Sequence, residues 1–106
     1  GVPLANNSLQ VADLHMNVPQ RHVTRGGQTL ALSPREFDLL QVLMQEPGQI
    51  FARTELRDRV WQNEQDYDVR AIDMFISRLR KKIDAGFDIA LIQTLRNTGY
   101  TIGPPA

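Results

Sequence analysis

Asp68-Val69-Arg70-Ala71-Ile72-Asp73-Met74-Phe75-Ile76-Ser77-Arg78-Leu79-Arg80-Lys81-Lys82-Ile83 is the stretch from which the rest of the chain is read. Ile72, Ile76, Leu79 and Ile83 recur at helical spacing, and at about 100° per residue they fall in one stripe roughly 60° wide. That stripe faces a core. On the opposite side lie Arg70, Met74, Ser77, Arg78 and Lys81. Arg80 and Lys82 flank the stripe, where long stems pack while the charges stay in water. Asp68 suits the N-cap, and Gly86 suits the end, after a last turn rich in cations. The spacing predicts a helix over about residues 68–84, some 24 Å long, enough to lie along a DNA major groove. A basic helix face is by itself usually only a solvated surface, so the neighbouring segments must decide.

The chain has 106 residues, the size of one domain, and its 42% apolar content is ordinary for a globular chain that builds one core. Twelve basic and twelve acidic residues give zero net charge, which excludes a general polyanion sponge. The distribution matters more than the sum. Arg78, Arg80, Lys81 and Lys82 cluster in one turn, while Glu64, Asp66 and Asp68 precede the helix. Such a dipolar surface turns a cationic face to DNA and an acidic face elsewhere. Cysteine is absent, so no disulfide framework exists, in keeping with a reducing, cytoplasmic location. No apolar run approaches the roughly 18 residues that span a membrane, and no signal peptide is visible. Residues 1–8 are small, polar and proline-containing, and read as a linker or cloning remnant; residues 9–106 read as the domain.

Residues 9–32 suggest three or four short antiparallel strands, with Leu9, Val11, Leu14, Met16 and Val18 alternating with polar positions and Gly26-Gly27 making a hairpin turn. Ser33-Pro34-Arg35-Glu36 is the clearest helix start. Ser33 caps, Pro34 takes the first helical position and Glu36 completes a capping box. Phe37, Leu40, Leu43 and Met44 follow as an apolar stripe, with Leu39 and Val42 beside it, up to the Glu46-Pro47-Gly48 turn. Ile50 and Phe51 read as an apolar plug. A second helix over about residues 53–61 turns Leu56, Val60 and Trp61 inward; its cap is poor, with Ala52 or Thr54 as alternatives. After a polar loop at residues 62–68 and the basic helix, residues 89–95 read as a strand. Arg96-Asn97-Thr98-Gly99 is a turn from which Tyr100-Thr101-Ile102 pairs back. The sum is an α+β winged helix-turn-helix: an N-terminal antiparallel sheet, three helices and a C-terminal β-hairpin wing.

These residues resemble a known family. The stretches Leu32-Ser33-Pro34-Arg35-Glu36-Phe37-Asp38-Leu39-Leu40, Pro47-Gly48-Gln49-Ile50-Phe51, Glu55-Leu56 with Val60-Trp61, Val69-Arg70-Ala71-Ile72-Asp73, Ile76-Ser77-Arg78-Leu79-Arg80-Lys81-Lys82-Ile83, and Ile92-Gln93-Thr94-Leu95-Arg96 with Gly99-Tyr100 are similar, in order and spacing, to the DNA-binding effector domain of OmpR/PhoB-class two-component response regulators. Each alone is weak; together they are specific. The resemblance implies a sequence-specific, double-stranded DNA-binding output domain, with the helix at about residues 68–84 in the major groove and the wing at about residues 95–101 at the minor groove. It also implies tandem binding to direct promoter repeats and a loop before the third helix, Gln62, Asn63, Glu64, Gln65 and Asp66, that meets RNA polymerase. Full-length members carry a phosphorylated receiver domain served by a sensor kinase, so the chain is expected to be an excised effector domain.

The resemblance and the helix geometry together name the DNA-binding candidates: Arg70, Met74, Ser77, Arg78, Arg80, Lys81, Arg96, Thr98 and Tyr100. Arg78 is the best candidate for base reading, because a guanidinium bonds guanine O6 and N7 together. Arg80 and Lys81 are expected on phosphates, which set register without carrying sequence. Arg70 is expected on a base or phosphate, against an ion pair with Asp66 or Asp73. Ser77 and Met74 are either contacts or spacers, and Lys82 is either a contact or solvated. Arg96 is expected in the minor groove, and Tyr100 either bonds a phosphate or packs in the hairpin. Phe75 departs from many members, which place a polar residue there; it is read as core-edge packing, with a DNA-facing role as the alternative. His15 and His22 have no companions at ligand spacing, so no metal site is expected, nor any cofactor. A protein-interaction module is the competing function, favoured slightly by zero net charge and by Phe75. Catalysis is the least supported, since no nucleophile–base set, P-loop or dinucleotide fingerprint is present.

Overall fold

A computed structural model describes residues 8–62 and 68–104. Four strands form an antiparallel meander: β1 (Ser8–Val11), β2 (Leu14–Asn17), β3 (His22–Arg25) and β4 (Gln28–Leu30), in the order β1-β2-β3-β4. Alternation decides which face is covered. Val11, Leu14, Met16 and Val23 are buried while His15 and His22 stay exposed. Gly26 and Gly27 take φ of +57° and +84°, the pair of positive angles that a two-residue hairpin turn requires. Ser8, expected in the linker, already pairs with Asn17 in β1; the remainder of that segment, residues 1–7, lies outside the described residues.

α1 (Pro34–Gln45) begins as the sequence predicts. Glu36 N–H donates to Ser33 Oγ at 3.3 Å, and Ser33 N–H donates to Glu36 Oε1 at 2.8 Å. The capping carboxylate has a second use: Lys82 Nζ donates to the same Oε1 at 2.6 Å. Lys82 is therefore not simply solvated; it is half-buried and ties the third helix to the start of the first. α2 (Arg53–Val60) uses Ala52 as its N-cap, and Glu55 Oε1 accepts from Ala52 N–H at 3.1 Å, so Thr54 is not needed. α3 (Arg70–Ile83) starts two residues later than the sequence suggests, but Asp68 Oδ1 still accepts the Arg70 backbone N–H at 2.9 Å.

Ile72, Ile76, Leu79 and Ile83 are each fully buried, packed with Phe37, Leu39, Leu40, Leu43, Leu56 and Trp61. Only half of the expected plug at 50–51 holds. Phe51 is buried, but Ile50 is 40% exposed, because the backbone of Phe51 is held to Tyr100 by paired hydrogen bonds and its neighbour points outward. The last sheet is a hairpin of β5 (Ile92–Leu95) and β6 (Gly99–Ile102). β5 is shorter than the apolar run at 89–95 suggests. Leu91 N–H and Ile92 N–H are both taken by the Asp84 carboxylate, and Ile89 is exposed. Gly99 permits close approach: a Cβ there would stand 2.0 Å from the Phe51 carbonyl oxygen.

Candidate nucleic-acid interface

The core stripe of α3 fixes which residues point away from it. Arg70, Met74, Ser77, Arg78 and Lys81 are exposed along the opposite side, the face that the spacing predicts. Their electrostatic situations differ. Arg70 pairs with Asp68, Nη2 to Oδ2 at 2.9 Å, in place of the Asp66 or Asp73 pairing considered from sequence. The hydrogen bonds from the Arg70 side chain and backbone hold the Asp68 carboxyl below the usual carboxylate range. Both side chains are exposed, so the pair is weakly held and exchangeable. Arg78 and Lys81 have no ion-pair partner among the described residues. The Arg78 guanidinium instead lies 5.6 Å from the Phe75 ring centroid, with Nη2 at 3.6 Å from Met74 Sδ.

The hairpin is tied to α3 at two levels. Arg80 Nη2 donates to Ile92 O at 3.3 Å and to Thr94 Oγ1, and its guanidinium sits 5.8 Å from the Tyr100 ring. Nearer the helix start, Tyr100 OH donates to Asp73 Oδ1 at 2.5 Å, and Arg53 Nη1 donates to Asp73 Oδ2 at 3.0 Å. One carboxylate thus joins α2, α3 and β6. Burial, then the hydrogen bond to Asp73 and its charge, push the Tyr100 hydroxyl up to about 12. Of the two readings for Tyr100, packing in the hairpin describes this geometry, since the residue is 8% exposed and its hydroxyl donates to Asp73.

Between these elements runs an open cleft lined by the start of α2 (Arg53, Thr54), the start of α3 (Val69, Asp73) and the wing turn (Arg96, Asn97, Thr98). Asn97 turns the chain with φ +63°, an angle Asn tolerates. Arg96 and Thr98 are exposed on that turn, and Arg96 has no ion-pair partner among the described residues. Gln62 is exposed just beyond the second helix, and Asn63, Glu64, Gln65 and Asp66 lie outside the described residues. Phe75 is half-buried, its ring 5.1 Å from that of Trp61 at 58°.

Three residues central to this arrangement carry no signal of their own in the sequence. Asp73 and Arg53 look like ordinary surface charges on their helices. Arg25 looks like a strand-end cation, yet it is 2% exposed and bonded to the C-terminal end of α3. Only long-range geometry reveals them.

The family described as "Transcriptional regulatory protein, C terminal" matches residues 27–102. The transcriptional regulatory protein TrcR of Mycobacterium tuberculosis is 42% identical over 101 residues, covering 95% of this chain and 39% of TrcR. The transcriptional regulatory protein CusR of Escherichia coli is 38% identical over 102 residues, covering 96% of this chain and 45% of CusR. The chain therefore spans less than half the length of these relatives. Among solved structures, the RstA DNA-binding domain of Klebsiella pneumoniae in complex with the RstA box is 35% identical, with a TM-score of 0.80 over 92% of this chain and 98% of that one. A family match over most of the chain, with the helices, sheet and hairpin in the same places, shows that the chain belongs to the C-terminal winged-helix domains of OmpR/PhoB-type transcriptional response regulators.

Proposed function

We propose that this domain binds double-stranded promoter DNA sequence-specifically, with α3 in the major groove and the β5–β6 wing at the minor groove. The observation that carries the reading is the pair of exposed cations, Arg78 and Lys81, that lack an ion-pair partner among the described residues on the face of α3 opposite its buried stripe. A guanidinium that no carboxylate holds, on a rigid helix, is placed to bond a base edge. Lys81 supplies a point charge to a phosphate. Arg70 exchanges Asp68 for a phosphate at little cost, since an exposed pair is worth little. Arg80 grips a phosphate with the donors the wing leaves over, and Ser77 and Met74 meet the bases between the two arginines. Arg96 enters the minor groove and Thr98 bonds the adjoining backbone. Tyr100 contributes through Asp73, by holding the wing beside α3.

In the whole protein, a receiver domain answering a sensor kinase controls this output domain in the cytoplasm. Two copies bind direct repeats in tandem, and residues 62–66 meet RNA polymerase. The competing reading, a module that binds only proteins, loses one support: Phe75 packs against Trp61 and is not a free apolar contact. Selection of duplexes from a random pool, followed by footprinting, tests the proposal. Enrichment of a repeated motif, protected in the major groove and at an adjacent minor groove, is the expected result. A pool that stays random after repeated selection contradicts it.

A further inference from the structure

Trp61 and Phe75 pack against each other between two guanidiniums, Arg35 on one side and Arg78 on the other. The Arg35 guanidinium, on α1, lies 5.5 Å from the Trp61 ring; the Trp61 and Phe75 rings are 5.1 Å apart; the Arg78 guanidinium lies 5.6 Å beyond Phe75. Trp61 is 2% exposed, so it is fixed by the core. Phe75 is half-buried and shows part of its ring at the surface, three residues before Arg78. Helical side chains lean toward the N-terminus, so Arg78 lies back over the preceding turn. There it meets two apolar groups, the Phe75 ring and, at 3.6 Å from Nη2, the Met74 sulfur. Neither competes for its N–H donors as a carboxylate would.

We propose that Phe75 is a positioning residue for base recognition: seated on Trp61, it holds the Arg78 guanidinium in place and so sets how sharply Arg78 distinguishes one base pair. The inference rests on the DNA-reading role of α3. Bidentate recognition of a guanine edge demands one orientation of the guanidinium, while an exposed arginine on a bare helix samples many rotamers and loses that freedom on binding. A ring that already attracts the cation removes part of that loss.

The test measures binding of the 106-residue chain to a duplex chosen by random selection, and to the set of its single-base-pair variants, by fluorescence anisotropy. Arg78→Ala first identifies the base pair at which discrimination is lost. Phe75→Leu, which keeps apolar bulk against Trp61, is expected to lower discrimination at that same base pair about two- to fivefold, the scale of an exposed cation–π contact. Its affinity for a random-sequence duplex should stay at the wild-type value. Phe75→Tyr, which keeps the ring face, should restore discrimination. In an Arg78→Ala background, Phe75→Leu should have no further effect at that position. A uniform loss across all duplexes, an effect that persists without Arg78, or unchanged discrimination in a folded Phe75→Leu each overturns the positioning role alone. A wild-type chain that binds every duplex equally overturns the DNA-reading role and this one with it.

Discussion

Arg25 and Arg78 carry the same guanidinium into opposite surroundings, one at each side of α3. Arg25 is 2% exposed, and its donors go to Asp13 Oδ1 at 2.6 Å, Ile83 O at 2.6 Å, Asp84 Oδ1 at 3.0 Å and Ile89 O at 2.5 Å, with Phe87 4.7 Å from its centre. It closes the C-terminal end of α3, where exposed carbonyls favour a cation, and ties β3 to the chain leading into β5. Arg78 makes none of these bonds and stands in water. A buried guanidinium with every arm occupied holds the helix; an exposed one that meets only a thioether and a ring is available to a ligand. The distinction rests on partners and burial, since the residue type is the same.

Substitutions at the two sites should separate stability from binding. Arg25→Ala removes the cation from Asp84, which keeps only the Leu91 and Ile92 N–H groups, and frees the Ile83 and Ile89 carbonyls; breaking a buried pair costs about 3–5 kcal/mol. Urea denaturation should show a loss of at least about 3 kcal/mol, and a loss under 1 kcal/mol would put Arg25 among the surface charges. Arg78→Ala should leave the unfolding free energy within about 0.5 kcal/mol of wild type. The same change should cost about 1–3 kcal/mol of discrimination at one base pair. If it destabilises the fold as much as Arg25→Ala, the contrast between the two arginines fails.

Tyr100→Phe probes the opposite end of α3 and should cost about 1 kcal/mol through the lost bond to Asp73. The hydroxyl keeps its proton up to about 12, against 10.0 in an unfolded chain. Its contribution is therefore complete below pH 10 and lost as pH rises toward 12. Melting temperatures should fall more steeply over that window for wild type than for Tyr100→Phe; parallel curves would sever the wing from Asp73. Lys81→Ala is the smallest perturbation: affinity should weaken alike for all sequences, and the salt slope should drop by about one.

The same contrast explains what the sequence disclosed. The α3 stripe, the Ser33–Glu36 capping box and the Gly26-Gly27 turn depend on residues a few positions apart, so periodicity and turn chemistry reveal them. The outward set Arg70, Met74, Ser77, Arg78 and Lys81 follows from the stripe by geometry alone, and the structure exposes all five. Arg25 joins Ile83 and Asp84, Lys82 joins Glu36, and Asp73 joins Arg53 and Tyr100, each across long stretches of chain. Spacing holds no trace of such pairs. Ile50 and Ile89 look like core residues by hydropathy and are exposed, because backbone bonds of their neighbours fix which way they face.

The role proposed for the outer face of α3, with the wing beside it, is to neutralise and read a duplex. Titrating the chain with its selected duplex between 50 and 200 mM salt tests it most directly. With about four phosphates neutralised at roughly −0.9 each, the log–log slope should lie near −3 to −4. A flat salt response, with no difference between wild type and Lys81→Ala, would contradict it.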